Sequence, residues 1–373
     1  MTVTAEQNSE ANLLYTDTET ALRSSVRALL ERRCVPADVA SVYDAGPQDF
    51  TPLWHTLAAD MGLAGLLVPE ALGGAGAGPR EAAVVLEELG RAVAPVPFLT
   101  SAVLATLALR GAGDTDLLPA LASGESTAAL VVSLSTPSFT APAGVRVVDG
   151  ALTGAVRSVA GAAQADVLVV PAAGPDGLEL HRVARDAPGV TVDPVLALDM
   201  TRPIADVRLD TRESVRVGSG GADAAVHDAL RTAAALLASE QFGVAQWCFD
   251  TTLGYLKERR QFGRVLGSYQ ALKHRLADLW LDVGAAGAAA RSAADACDRD
   301  DDADTATAVA QAYCSPLAVR AAEECIQLHG GIGMTWEYPA HLYLKRAKSS
   351  QLAFGTEYAY RARLGELVDL PSA

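Results

Sequence analysis

Residues 327–356 read QLHGGIGMTWEYPAHLYLKRAKSSQLAFGT. The stretch opens as the end of a helix, because the helical pattern from Thr305 to Leu328 stops at Gly330-Gly331. The run Gly330-Gly331-Ile332-Gly333 then lets backbone come close to a ligand, since glycine carries no Cβ. Gln327, beside it, offers both donors and acceptors. A last helical pattern begins near Glu337 and is interrupted near Gly355. The residue ahead of Gly355-Thr356 is Phe354, whose side chain cannot accept a proton.

Two further stretches stand out. Glu258-Arg259-Arg260-Gln261-Phe262-Gly263 lies between two long helical patterns, Asp223 to Glu258 and Ser268 to about Ala296. Arg259 offers a planar, permanently charged fork suited to a phosphate or pyrophosphate. Phe262, three residues on, is expected on the same side of a helix, where it can pack against an adenine or ribose. Val68-Pro69-Glu70 followed by Gly73-Gly74-Ala75-Gly76-Ala77-Gly78 reads as a loop between two helices.

The chain has 373 residues, long enough for two or three domains and a large core. Half of them are hydrophobic, and alanine-rich stretches dominate both ends, which favours helix. The net charge of −15 disfavours nucleic acid and anionic membrane, and leaves any anionic ligand dependent on local basic residues. Five cysteines, Cys34, Cys248, Cys297, Cys314 and Cys325, are odd in number and lack CxxC spacing, so free thiols in a reducing compartment are expected. A basic-then-apolar leader and an apolar run of about 18 residues are both missing, which points to a cytoplasmic protein.

Three zones follow. Residues 1–125 read as helices: Thr18 to Arg33 carries Leu22, Val26, Leu29 and Leu30 on one face, and Arg80 to Ala94 repeats the pattern with Val84, Val85, Leu86 and Leu89. Residues 126–217 hold short β-branched runs at Ala129–Ser133, Val145–Val148 and Val167–Val170, with Asp149-Gly150 as a hairpin turn and seven prolines as punctuation. Residues 218–373 return to long helical patterns after Gly218-Ser219-Gly220-Gly221.

Together the three motifs resemble those of the acyl-CoA dehydrogenase family, a flavoenzyme superfamily. The glycine loop is similar to its PExxGGxGxG loop. The stretch at Arg259 is similar to its RxxFG motif, with Leu266, Tyr269-Gln270 and Lys273-His274-Arg275-Leu276-Ala277-Asp278 behind it. The motifs occur in the family's order, and the 68 residues from Arg259 to Gln327 match without a gap. The resemblance covers most of the chain. It implies an α+β fold with an N-terminal helical domain, a middle β-domain and a C-terminal four-helix bundle. It implies FAD as cofactor, an acyl-CoA as substrate and an electron-transfer flavoprotein or similar acceptor. The implied reaction removes the α-hydrogen as a proton and the β-hydrogen as a hydride, giving a 2,3-enoyl-CoA. Carried over one residue at a time, contacts to the ADP half of an FAD in a neighbouring subunit fall on Arg259, Phe262, Leu266, Tyr269, Leu272, Gln327, Leu328 and Gly331.

The departures fall elsewhere. In most members the residue before the final Gly-Thr is the glutamate that takes the α-proton; here it is Phe354. The family's YxxTEPxxGSD loop and WITN strand touch the flavin ring. In this chain the first zone reads Leu130 to Phe139 with no TEP and no GSD, and in the second the tryptophan and threonine become Ser158 and Ala160. The position where some members place the base instead is Ala233, followed by Ala234.

The resemblance therefore implies a chain with no catalytic residue of its own. It resembles the non-catalytic subunit of actinobacterial α2β2 acyl-CoA dehydrogenases that degrade steroid side chains, paired with a homologous subunit that carries the glutamate. Three alternatives stay open. One is a homotetramer with Glu240 or Glu357 as a displaced base. Another is a flavin monooxygenase or oxidase on the same scaffold. The third is a binding or scaffold protein without flavin. No metal site is expected.

Overall fold

The computed structural model of the chain describes residues 13–44, 49–142 and 144–371. The fold is α+β. Its N-terminal part holds α1 (Asp17–Arg33), α2 (Pro36–Ala40), α3 (Thr51–His55) and α4 (Pro79–Ala92). A wide helical segment, Phe98–Ala105, then runs into α5 (Thr106–Gly111), and α6 (Leu118–Ser123) follows. A reciprocal cap starts α1: the Glu19 amide donates to Thr16 Oγ1 at 3.1 Å, and the Thr16 amide donates to the Glu19 carboxylate at 2.6 Å. The apolar stripe of α1 buries Val26, Leu29 and Leu30, while Leu22 is only partly covered.

The middle of the chain is one sheet. Its strands are β1 (Ala128–Leu130), β2 (Val145–Val148), β3 (Ala151–Ala160), β4 (Val167–Gly174), β5 (Gly177–Ala184), β6 (Val190–Val195), β7 (Ile204–Thr211) and β8 (Val215–Val217). The order is β6-β7-β3-β2-β4-β5-β8, with β1 beside β4. Val148 pairs with Ala151 across Asp149-Gly150, both at positive φ (48° and 76°), so this dipeptide is the hairpin turn that its composition indicated. Two of the prolines do not punctuate the strands but lie inside them. Pro194 sits in β6, the edge strand. Pro171 sits in β4 where β1 has ended at Val169 and β2 begins to pair only at Ala173, so no ladder partner is owed its missing N–H.

The chain then returns to helix: α7 (Asp223–Glu258), α8 (Gln270–Arg299), α9 (Ala303–His329), α10 (Ala340–Leu352) and α11 (Glu357–Leu367). One apolar core joins the N-terminal helices, one face of the sheet and the bundle; a second lies on the sheet's other face around Leu152, Leu168 and Val170. Among the described residues all five cysteines are free, and no helix is long and apolar enough to cross a membrane.

The helices α4 and α7 meet backbone to backbone. A Cβ on Gly90 would sit 2.2 Å from the Glu240 carbonyl oxygen, and one on Gly243 would sit 2.0 Å from that of Glu87. Only glycine allows this approach at either position. It sinks Glu240 into the centre of the molecule, where Arg202 from the β6–β7 connection donates to both carboxylate oxygens at 2.5 and 2.6 Å. Arg346 on α10 lies 3.4 Å from Glu240 and 3.6 Å from Asp199, and also donates to the Ala94 carbonyl at 2.8 Å. All four charged side chains are buried. Burial pushes the Glu240 carboxyl up, but Arg202, Arg346 and Ser350 outweigh it and hold the group below its usual range.

Removing one partner from a buried cluster of this kind leaves uncompensated charge, at a cost of about 3–5 kcal/mol. Glu240→Gln is therefore expected to lower stability to urea by that amount at neutral pH. A carboxyl with a depressed folded pKa stabilises above its unfolded value of about 4.3, and the contribution fades as pH falls through the folded value. The gap between wild type and Glu240→Gln should accordingly close on acidification. A loss under about 1 kcal/mol at neutral pH would show that the cluster contributes nothing net.

Candidate functional site

Most of the residues carried over as contacts or departures collect at two places. The first is one end of the bundle. Here α7 stops at Glu258, and Arg259 is extended (φ −66°, ψ 128°). Residues 260–265 form a small hairpin in which Gln261 pairs with Arg264 across Phe262-Gly263, at φ 51° and 80°. This corrects the expectation that Arg259 and Phe262 share a helical face. Gly263 permits the turn, and the turn presents Phe262 at its tip, 91% exposed. The Leu266 amide donates to the Arg259 carbonyl at 2.8 Å, which closes the base of the hairpin. The Arg264 guanidinium lies 3.7 Å from the centre of the Tyr269 ring. The Arg259 guanidinium has no ion pair or hydrogen bond among the described residues.

The end of α9 reaches the same place. The ring of His329 is 4.4 Å from that of Tyr255, one turn before Arg259. Arg275 near the start of α8 donates to Glu324 near the end of α9 at 2.7 Å. Gln327 and Gly331 are exposed there, and the helix closes in a tighter turn over Gly330–Met334. Leu266, Tyr269 and Leu272 are half-buried. The Leu328 side chain belongs to the core, which corrects the expectation that it lines the same surface. The bundle end thus carries an unpaired guanidinium, an exposed aromatic ring, a free amide and a glycine turn. That donor set can hold an anionic, partly aromatic ligand from outside.

The second place is around Phe354, which is 1% exposed and holds φ 57°. Its amide donates to the Leu134 carbonyl at 2.7 Å, and the Leu134 amide donates to the Ser158 carbonyl at 3.0 Å. The Ser158 amide in turn donates to Asp206 at 2.9 Å. On the other side the Phe354 carbonyl accepts from the Ser138 amide at 3.2 Å and from the Tyr360 hydroxyl at 2.8 Å. Tyr360 also sits 3.0 Å from the Ser138 hydroxyl, and burial pushes its phenol up to about 12. A Cβ on Gly161, at the end of β3, would meet Thr100 Oγ1 at 2.7 Å. The three segments 130–139, 153–161 and 354–360 are therefore bonded to one another, and the amides of Leu134, Ser138, Ser158 and Phe354 have acceptors within the protein.

Neither candidate carboxylate is free. Glu240 is held by two guanidiniums, a cluster that sequence reading missed because its members lie far apart in the chain. Glu357 is buried at the first turn of α11 and accepts from Gln351 at 3.5 Å. Ala233 and Ala234 are buried in α7. Among the described residues no cluster of metal-ligating side chains occurs.

Comparison with known proteins places the chain in a family. Residues 16–125 match the N-terminal domain of acyl-CoA dehydrogenase, and residues 220–367 match its C-terminal domain. Acyl-CoA dehydrogenase IpdE2 of Mycobacterium tuberculosis is 39% identical over 88% of this chain and 90% of its own length. Among solved structures, a variant of the Tcur3481-Tcur3483 steroid ACAD is 32% identical with a TM-score of 0.83, covering 95% of this chain and 98% of that one. The ChsE4-ChsE5 complex from Mycobacterium tuberculosis is 28% identical with a TM-score of 0.85, covering 97% of this chain and 100% of that one. With both terminal domains matched and relatives aligned over nearly their whole length, the chain belongs to the acyl-CoA dehydrogenase family, whose members are FAD-dependent oxidoreductases.

Proposed function

We propose that this chain is the non-catalytic subunit of a heteromeric acyl-CoA dehydrogenase. A homologous partner would hold the FAD ring and supply the glutamate base. The observation that carries this reading is the closed ring of hydrogen bonds around Phe354. In the chain's own cleft the residues do not fit a flavin ring. The amides of Phe354, Ser138, Leu134 and Ser158 already have acceptors, and a phenylalanine stands at the position of the base.

At the bundle end the residues do fit the ADP half of a cofactor seated in a neighbour. Arg259 would bind pyrophosphate, Phe262 would pack on the adenine or ribose, and Gln327 with the Gly331 backbone would orient the ribose. When bound, FAD supplies the two-electron acceptor for α,β-dehydrogenation of the acyl-CoA. This chain's part is to bind and orient its far end and to exclude water there. A homo-oligomer would lack a general base, which costs roughly 10²–10⁴-fold in rate. Glu240 cannot replace it, because its carboxylate is ion-paired on both oxygens and held in the ionised form. The likeness to a steroid ACAD supports a steroid side-chain CoA thioester as the substrate class, and the ChsE4-ChsE5 complex supports a two-chain assembly.

Three outcomes test the reading. The chain purified alone is expected to carry little flavin, read from its visible absorbance, and to gain it on co-expression with the partner. Near one FAD per chain in isolation would sink the proposal. In the assembled complex, Arg259→Ala removes a charge-assisted hydrogen bond worth roughly 1.5–3 kcal/mol, so FAD affinity should fall about 10–150-fold without a change of fold. An unchanged affinity would return Arg259 to an ordinary surface residue. Phe354→Glu places a carboxylate in a buried, unpaired position and should lower stability without adding a second flavin per heterodimer. A second bound FAD with doubled turnover would show an intact site lacking only its base.

A further inference from the structure

A serine, a histidine and a glutamate come together at the edge of the sheet, outside both groups of residues described above. Glu179 and His181 are two apart along β5, so their side chains leave the same face of the strand. His181 pairs with Arg216 of the edge strand β8, and Ser214 stands two residues before Arg216. His181 Nε2 lies 2.9 Å from Glu179 Oε2, and His181 Nδ1 lies 3.3 Å from Ser214 Oγ. Arg216 Nη1 lies 3.3 Å from the other Glu179 oxygen. Gly174, at the end of β4, leaves room for this carboxylate: a Cβ there would meet Glu179 Oε1 at 2.4 Å.

The partners fix the proton positions. A carboxylate accepts and does not donate, so in the neutral ring the proton sits on Nε2 and is donated to Glu179. Nδ1 is then left as an acceptor, and the Ser214 hydroxyl donates to it. Glu179 and His181 are each 7% exposed, whereas Ser214 is half-buried between exposed Glu213 and Val215. The base and the carboxylate that orients it are thus held below the surface, and the hydroxyl is the member that a reagent from solvent reaches. A nucleophile within reach of a base that a third group orients is the arrangement that activates serine toward acyl groups. A contact of 3.3 Å is slightly long, as such contacts are before a substrate binds.

We propose that Ser214 is a base-activated nucleophile that takes the acyl group of a small activated ester. The bond from Oγ to the acyl carbon forms as the hydroxyl proton passes to His181 Nδ1. The bond from the acyl carbon to the leaving alcohol then breaks, and the alcohol takes that proton away. His181 keeps its Nε2–H on Glu179 throughout, and the product is an ester of Ser214. Arg216, whose side chain is 44% exposed, supplies positive charge on the same face for the oxyanion that develops. The site takes no part in acyl-CoA dehydrogenation and does not depend on the subunit reading.

The test uses the full chain, p-nitrophenyl acetate, an acid quench and peptide mass mapping. An acetyl group is expected on Ser214. Ser219 is more exposed and has no hydrogen bond to a histidine among the described residues, so it is the internal control and should stay unmodified. His181→Gln removes the base and should slow acetylation of Ser214 about 10²–10⁴-fold, with circular dichroism confirming that the variant is folded. The comparison of Ser214 with Ser219 is made in the wild-type chain and decides the matter even where the variant does not fold. No acetyl group on Ser214, equal labelling of Ser214 and Ser219, or a wild-type rate in folded His181→Gln would overturn the proposal.

Discussion

The carboxylate of Glu240 is the constraint on which the molecule depends. It meets Arg202 from the sheet region and Arg346 from the bundle, and Arg346 extends to the Ala94 carbonyl beyond α4. Apolar surface can hold three layers together, but it is indifferent to small slides between them. A buried charge is not indifferent, because each oxygen and each guanidinium must keep its partner or stand uncompensated in low dielectric. Gly90 and Gly243 make the cluster possible, since any side chain at either position would lift α7 off α4 and carry Glu240 away from its cations. The same cluster removes Glu240 from chemistry. A carboxylate gripped this way holds its charge, is buried from substrate and is a weakened base.

What the sequence disclosed, and what it hid, follows from how local each signal is. The helix Asp223–Glu258 was legible end to end because its alanine-rich pattern is continuous and glycines stand before it. The Asp149-Gly150 turn was legible because positive φ at two successive residues demands such a pair. The strands from β5 to β8 were harder, since Pro194 reads as a break unless the strand is known to lie at an edge. Phe262 misled for a related reason. Helical spacing from Arg259 looked natural, yet the following glycine makes a hairpin turn in which phenylalanine itself adopts a left-handed conformation. The ion cluster could not be read at all, because Asp199, Arg202, Glu240 and Arg346 come from three separate segments, each ordinary in its own surroundings.

The identity of Phe354 was visible in the sequence, but its consequence was not. A phenylalanine in place of a glutamate removes a base and could leave the rest of a pocket standing. Here the surroundings have closed as well. Leu134 links Phe354 to Ser158, and Ser138 and Tyr360 hold the Phe354 carbonyl. A backbone donor that is satisfied within the protein is not available to a ligand, and reopening it would leave both partners unpaired. At the bundle end the balance is reversed. Arg259 keeps an unpaired guanidinium among the described residues and Phe262 an exposed ring, so both stay available to a ligand. One chain is thus finished on one side and unfinished on the other.

That asymmetry has a thermodynamic consequence. If the far end of a cofactor is gripped by this chain and its ring by a partner, cofactor binding and assembly are one linked equilibrium. Each contact from Arg259 or Phe262 raises cofactor affinity only in the assembled state, so by reciprocity the cofactor strengthens assembly by the same factor. Ligand at a concentration about a hundredfold above its dissociation constant contributes about 2.7 kcal/mol to the state that binds it. On the proposed reading the lone chain gains none of this. It need not be less stable for that. The closed hydrogen bonds around Phe354 satisfy groups that an empty flavin pocket would leave to solvent. On the proposed reading, the exposed bundle end is the part of the chain where cofactor and partner would meet, and the hydrogen-bonded segments around Phe354 would keep the chain folded without them.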